Sequence, residues 1–414
     1  MSFDLSIVRS RFPALGRVMG DRPVVFFDGP AGSQVPRRVI DAVSGYLSSC
    51  NANQGGAFAT SRETDAVVEG AQRAVCDLLG AADPDEIVFG ANMTSLTFAF
   101  SRALSRTWSA GDEILVSRLD HDANVTPWVL AARDAGATVR QIEIDPTDCT
   151  LNMDDFRSKL SAKTKLVAVG YASNAVGTIN PVREIIEAAQ EVGALTFVDA
   201  VHYAPHGLID VAALQCDFLV CSAYKFFGPH VGILWGRKSL LESLDAYKVR
   251  PAPTSPPGKW MTGTQNHEGI AGTAAAIDYL AELGAAERDE ASSNRRAALV
   301  SAFAAIREYE QQLVSHLLGG LNDISDIRIY GITDPDQLHE RVPTVSFTHT
   351  RFAPSAIAAK LAERGIFVWA GNHYALPFTE AMGLEPDGTV RVGLLHYNTE
   401  EEVDRLLEQL CTLD

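Results

Sequence analysis

Five polar groups in this chain each follow a short apolar run. Leu195–Val198 ends in Asp199, with His202 three residues on, and Asp217–Cys221 leads into Ser222-Ala223-Tyr224-Lys225. Leu166–Val169 leads to Ser173-Asn174, and Ile114–Val116 to Asp120-His121-Asp122. Ile87–Phe89 leads through Gly90-Ala91-Asn92 to Met93-Thr94-Ser95 and a helical pattern. In an open α/β sheet, ligands sit beyond the carboxyl ends of the strands. An amine, a carboxylate, an imidazole, an amide and a helix N-terminus of anion-binding type are therefore expected in one crevice.

That set matches the needs of pyridoxal 5′-phosphate, which requires a lysine for its Schiff base and a carboxylate for its pyridine nitrogen. A lysine among aromatic residues is pushed towards the neutral, nucleophilic amine by desolvation. The phosphate suits a helix N-terminus with a hydroxyl nearby, such as Thr94, and His121 is flat enough to stack on the ring. Each residue alone has a plainer role: Lys225 a snorkelling surface lysine, Asp199 or Thr94 a helix cap, His121 a structural histidine, Asn174 a turn residue before Gly177. Their joint order carries the reading. Competing motifs fail: Gly29-Pro30-Ala31-Gly32 is not a dinucleotide fingerprint, His267-Glu268 lacks a second zinc-binding histidine, and neither a P-loop nor a G-x-S-x-G elbow occurs.

The elements that must position these residues read as α/β. Short apolar runs from Val24 to about Trp235 alternate with amphipathic stretches, the pattern of a mostly parallel sheet flanked by helices. Thr60 and Glu63 suggest a capping box ahead of the apolar stripe Val67 to Leu79, and Asn180-Pro181 opens a helix over 182–192 that Gly193 ends. Pro251-Ala-Pro-Thr-Ser-Pro-Pro-Gly258 breaks the pattern. An Ala-rich helical region follows over about 266–318, interrupted near Gly284. Strands at 344–347, 366–369 and 390–393 then alternate with helices at 354–364 and 399–413. This predicts an N-terminal segment 1–22 packing with a small domain, a large cofactor-binding domain 23–285, and a smaller α+β C-terminal domain 286–414.

The length of 414 residues is enough for a large core. Lys+Arg 35 against Asp+Glu 52 gives −17, which argues against nucleic-acid or anionic-membrane partners. The six cysteines form no C-x-x-C pair, so neither a metal centre nor a disulfide framework is expected. No signal-peptide core or membrane-length apolar run is present, and a cytoplasmic enzyme is the expectation.

The blocks Phe27-Asp28-Gly29-Pro30-Ala31, Asp120–Asn124, Ser173–Thr178, Val198-Asp199-Ala200, Ser222–Lys225 and Tyr397–Glu402 resemble the class V aminotransferase family of fold-type I pyridoxal-phosphate enzymes, in its cysteine desulfurase-like branch. The similarity runs from about Phe26 to Leu413. It implies that Lys225 carries the cofactor, Asp199 pairs with its ring nitrogen and His121 stacks on the ring. Thr94, Ser222 and the backbone near Met93 would hold the phosphate, with Tyr224 reaching it too. His202 would touch the cofactor's 3′-oxygen, Asn174 the cofactor and substrate, and Arg391 the substrate carboxylate. Thr264 would contact the phosphate of a partner subunit, making the enzyme a homodimer with active sites at the interface.

Three departures set this chain apart from that branch. Tyr374, in Val368–Pro377, stands where the desulfurases carry their sulfur-accepting cysteine, Trp369 replaces a common arginine, and Gly55-Gly56 replace a frequent His-Arg pair. Trp369, Tyr374 and Phe58 would then make an aromatic substrate pocket. On sequence alone aminotransfer ranks first, because it needs only Lys225, Asp199 and Arg391. A cysteine or cystine C–S lyase, or desulfuration without the usual loop cysteine, is the alternative. A non-catalytic cofactor-binding or scaffold protein is the reading from another class.

Overall fold

A computed structural model describes residues 4–285 and 294–413. Its centre is a seven-stranded sheet built from Ile87–Gly90 (β1), Glu113–Ser117 (β2), Thr138–Ile142 (β3), Thr164–Gly170 (β4), Leu195–Asp199 (β5), Phe218–Ser222 (β6) and Gly232–Gly236 (β7). The spatial order is β1-β7-β6-β5-β4-β2-β3, with β7 antiparallel to both neighbours and the other pairs parallel. The expected mostly parallel sheet is thus present. Strand β3 escaped the sequence reading because its burial alternates and its middle carries Arg140 and Gln141, as befits an edge strand.

Strand periodicity feeds a separate core on each face. Leu115, Val167, Val169, Val198 and Leu219 enter one apolar cluster, whereas Ile114, Val116, Leu166, Ala168, Phe197 and Val220 enter the other. On the first face, helix His267–Ala285 packs against helices Arg37–Ser49, Ala59–Leu79 and Arg295–Asn322. The chain stays helical through Gly284, where an added Cβ would lie 1.9 Å from the Ala298 carbonyl oxygen, so that glycine serves close helix approach rather than a break. The interruption expected near Gly284 is therefore absent there, and the boundary expected at 285/286 adjoins residues 286–293, which lie outside the described residues.

Helix Ala59–Leu79 corrects one expectation: Phe58 is its N-cap, with no side-chain cap, and Thr60 lies inside the first turn. The reciprocal capping box is instead at Thr399 and Glu402, opening helix Glu400–Cys411. The 182–192 helix runs Val182–Glu191, with Gly193 beyond it at φ +77°.

A second, antiparallel sheet takes Ile327–Tyr330 (β8), Thr344–His349 (β9), Trp369–Gly371 (β10) and Thr389–Gly393 (β11), in the order β8-β9-β11-β10. With helices Pro354–Glu363 and Glu400–Cys411 and the end of Arg295–Asn322 it encloses its own apolar cluster. The N-terminal segment bridges outward: Arg9 donates to the Tyr397 carbonyl and pairs with Glu402, while Phe12 meets Tyr279, Phe227 and Tyr397 edge-on.

Arg341 joins the two sheets. Its buried guanidinium donates to the carbonyls of Val176, Ile332 and Thr344, and burial lowers its pKa to about 10. Replacing it by Met leaves those carbonyls buried and unpaired, so R341M is expected to lose about 3 kcal/mol of unfolding free energy. Urea denaturation of the two proteins checks this.

Candidate functional site

The carboxyl ends of β2, β4, β5 and β6 converge, and the helix Met93–Leu104 starts beside them. Its first backbone N–H, at Met93, donates to Ser222 Oγ at 3.2 Å. The approach is possible because Gly232 lacks a side chain: a Cβ there would sit 2.3 Å from the Asn92 carbonyl carbon. Asn92 supplies the helix cap by accepting from Ser95 N, so the exposed Thr94 hydroxyl has no capping role. An inner pocket of about 60 Å³ is lined by Met93, Thr94, Asp199, His202, Ser222 and Lys225, among others. It opens into a cleft of about 660 Å³ walled by Phe98, His121, Asn174, Trp369, Tyr374 and Arg391.

Lys225 ends a short 3-10 turn after β6 and is buried, its Nζ donating to the Pro30 carbonyl. Burial, helped by Arg391, lowers its pKa to about 7, with Asp199 opposing. Asp199, at the end of β5, is raised to about 7 by burial, against a hydrogen bond from Val201 N at 2.9 Å. Asp120 adds to that rise through its charge. Asp120 is itself tied down by Gly170 N, Ser117 Oγ and Asn124 Nδ2 at 2.7–2.9 Å.

His121 accepts a hydrogen bond from Ala123 N at Nδ1, which leaves Nε2 as the nitrogen that carries the proton in the neutral ring. Burial and the charges of Lys225 and Arg391 hold its pKa down at about 4. His202 Nε2 meets Thr344 Oγ1 at 3.0 Å, and burial keeps that imidazole neutral too. The Tyr224 ring stacks on His230 and lies 4.9 Å from Lys225 Nζ.

Arg391 reaches the cleft from β11, where its register partners are Ser346 and Trp369. Its Nη1 donates to the Asn174 carbonyl at 2.9 Å, and burial lowers its pKa to about 9 while Asp28 opposes. Arg391 Nε and Asn174 Oδ1 are buried without a partner, as is Asp28 Oδ1. Unmet polar atoms of this kind are what a bound carboxylate or cofactor hydroxyl would satisfy.

Ten of the eleven sequence-predicted site residues thus line or support this one crevice. Thr264 does not: it is exposed and lines neither cavity. Phe58 is also exposed and away from the cleft, and Phe98 takes the aromatic place expected of it. The supporting roles of Asp120, Asp28 and Pro30 were missed, although all three lie in blocks that the sequence marked. The residues present fit pyridoxal phosphate, on the buried near-neutral amine, the opposing carboxylate and the helix N-terminus with its serine.

The family model for aminotransferase class-V matches residues 25–406, and the chain belongs to that family, in its cysteine desulfurase-like branch. Its fold is that of fold-type I, and its cofactor is pyridoxal phosphate. A probable cysteine desulfurase from Vibrio cholerae is 32% identical over 98% of both chains. A cysteine desulfurase from Synechococcus elongatus is 33% identical over 98% of this chain, which spans 63% of that relative's length. Among solved structures, the apo cysteine desulfurase of Thermococcus onnurineus superposes with a TM-score of 0.88 at 28% identity, covering 99% of this chain and 98% of that one. The Escherichia coli cysteine desulfurase CsdA follows at 0.84 and 26%, with 99% and 98% covered. Among the described residues no helix is long and apolar enough to cross a membrane, and no cluster of metal-ligating side chains occurs.

No cysteine lines the cleft. Cys50, Cys76, Cys149, Cys216 and Cys221 are buried, and only Cys411, on the C-terminal helix, is exposed. Burial pushes Cys216 up to about 12 and Cys149 to about 11. The native protein is expected to release one equivalent of thionitrobenzoate from Ellman's reagent and the rest only on unfolding. C411S is expected to abolish the native reaction.

Proposed function

We propose that this chain is a pyridoxal-phosphate-dependent C–S lyase that acts on a cysteine-type amino acid and releases the sulfur directly, without an enzyme-bound persulfide. The observation that carries this reading is Tyr374. It occupies the cleft above a floor of Lys225, Asn174 and Arg391, in a chain whose relatives are named cysteine desulfurases. Sulfur removal is the shared chemistry of those names, and the floor for it is kept while a thiol to accept the sulfur is not.

Arg391 holds the substrate α-carboxylate, as a guanidinium fork does well, and the unpaired Asn174 Oδ1 accepts from the substrate amine. Lys225, near-neutral at Nζ, takes the proton from the α-carbon. Pyridoxal phosphate, when bound, supplies the electron sink that makes that proton acidic. Asp199 would hold the cofactor's ring nitrogen and His121 would stack on its ring. The Cβ–S bond then breaks with its electron pair leaving on sulfur, and water completes the balance: a thiol, pyruvate and ammonium from the amino acid and one water. His202 would contact the cofactor's 3′-oxygen, and Met93, Thr94 and Ser222 would hold its phosphate, with Tyr224 alongside. Thr264, exposed on one chain, reaches the phosphate of a second subunit in a cytoplasmic homodimer.

Aminotransfer is the second reading, favoured by the family's description and by the sufficiency of Lys225, Asp199 and Arg391. Visible spectra separate the two. A lyase returns to its starting spectrum unaided and releases pyruvate and sulfide from L-cysteine in equal amounts. An aminotransferase converts to the pyridoxamine form and recovers only when a keto acid is added. K225A is expected to lower turnover by about 10³-fold or more, while a non-catalytic binder would show no turnover to lose.

A pH dependence follows from the amine. Only neutral Lys225 can capture the cofactor, so the rate at which apoprotein takes up pyridoxal phosphate should climb as pH rises through about 7 and then level. An amine at the ordinary value of 10.5 would keep it climbing. Stopped-flow absorbance against pH checks this.

A further inference from the structure

The segment carrying Tyr374 is held in a conformation that its residue types disfavour. His373 and Tyr374 are consecutive non-glycine residues with φ of 56° and 58°, in the left-handed region that a bulky side chain seldom enters. The surroundings fix both. Asn174 Nδ2 donates to the His373 carbonyl at 2.8 Å, and Asp122 N donates to the Tyr374 carbonyl at 2.7 Å. His373 Nε2 bonds Thr389 Oγ1, which donates to Ser346 Oγ, which donates in turn to the Ala175 carbonyl. Gly388 lets β11 close on this loop, since a Cβ there would lie 2.1 Å from the Gly371 carbonyl oxygen.

All of this presents one ring. Tyr374 is 75% exposed, yet it lies parallel to His121, with centroids 5.6 Å apart and planes 15° apart. Trp369, 52% exposed on β10, and Phe98 share the same cleft. The cleft of about 660 Å³ is shared with the cofactor, and its rim at Phe98, Trp369 and Tyr374 is aromatic surface that an aromatic side chain would bury.

We infer that Tyr374 is a specificity residue that stacks on a planar group of the substrate side chain, and that the preferred substrates are cysteines bearing an aromatic ring on sulfur. The inference rests on the C–S lyase reading for the reaction, but the side-chain preference concerns binding at the same site. The α-carboxylate goes to Arg391 and the ring lies between Tyr374 and Trp369. An arylthiolate is also a better leaving group than hydrosulfide from unsubstituted cysteine, which suits a site with no thiol to attack the sulfur. The products are arylthiol, pyruvate and ammonium, from the conjugate and one water.

The test uses holoenzyme with S-phenyl-L-cysteine and S-methyl-L-cysteine. Dissociation constants come from the shift of the visible band and from quenching of tryptophan fluorescence, with W369F identifying the Trp369 contribution. Turnover is read separately as pyruvate. S-phenyl-L-cysteine is expected to bind up to ~10-fold more tightly, in line with one aromatic stacking contact. Y374F should keep that ratio. Y374N, whose asparagine tolerates the left-handed backbone, should lower it, with Trp369 supplying what remains. Equal or tighter binding of the S-methyl compound, or an unchanged ratio in a folded Y374N, overturns the inference. Preferential ring binding without pyruvate release leaves the substrate class standing and removes the lyase reading.

Discussion

The crevice depends on taking charge out of water. Lys225, Asp199, Asp120 and Arg391 are all buried at the junction of the two sheets, and Lys225 gives its hydrogen bond to the Pro30 carbonyl rather than to a carboxylate. Desolvation therefore dominates every shift: the amine falls, the acids rise and the guanidinium falls. Such a set would be a liability in an empty protein. It becomes useful when a ligand brings a ring nitrogen, an aldehyde and a phosphate to complete the pairing. The Asp120 carboxylate shows how the scaffold bears this load, since Gly170 N on the adjacent strand end, Ser117 and Asn124 all point their donors at it.

The second requirement is that two independently cored sheets meet in register. The large sheet supplies Lys225, Asp199 and His121, but Arg391 arrives on β11 of the small one. Contacts that set that distance include Arg391 on the Asn174 carbonyl, Ser346 on the Ala175 carbonyl and Arg341 on the Val176 carbonyl. The loop after β4 is thus both a wall of the cleft and the seam between sheets. A change in the seam alters the site even where no ligand touches it.

Much of this was legible in the chain because strand ends and chemistry coincide. The positions of Asp199, Lys225, Asn174 and His121 follow from apolar runs that stop abruptly at polar residues, and in a parallel sheet such stops share one edge. The antiparallel β7 and the edge strand β3 were harder, since strand direction and edge pairing are tertiary properties. Thr60 and Glu63 have the right spacing for a capping box, yet the helix starts two residues earlier than they require. Phe58 failed as a cleft residue for a related reason, because spacing says nothing about which way a loop turns before its helix. The left-handed pair at His373 and Tyr374 was invisible, since neither residue type announces such a backbone.

That pair bears on how one scaffold changes its chemistry. A sulfur acceptor must approach the substrate sulfur and withdraw again, so its loop gains from freedom. An aromatic wall gains from rigidity, because a ring that keeps its orientation loses less freedom on stacking. Here the loop is bound at both carbonyls and through an imidazole whose hydrogen-bond chain ends on the β4 loop. A phenol cannot accept sulfur as a thiol does, but a phenol fixed in place offers a planar surface to a ring. The floor of amine, carboxylate and guanidinium is buried while Tyr374 and Trp369 stand at the exposed rim, so the rim can change its side chains without disturbing the floor.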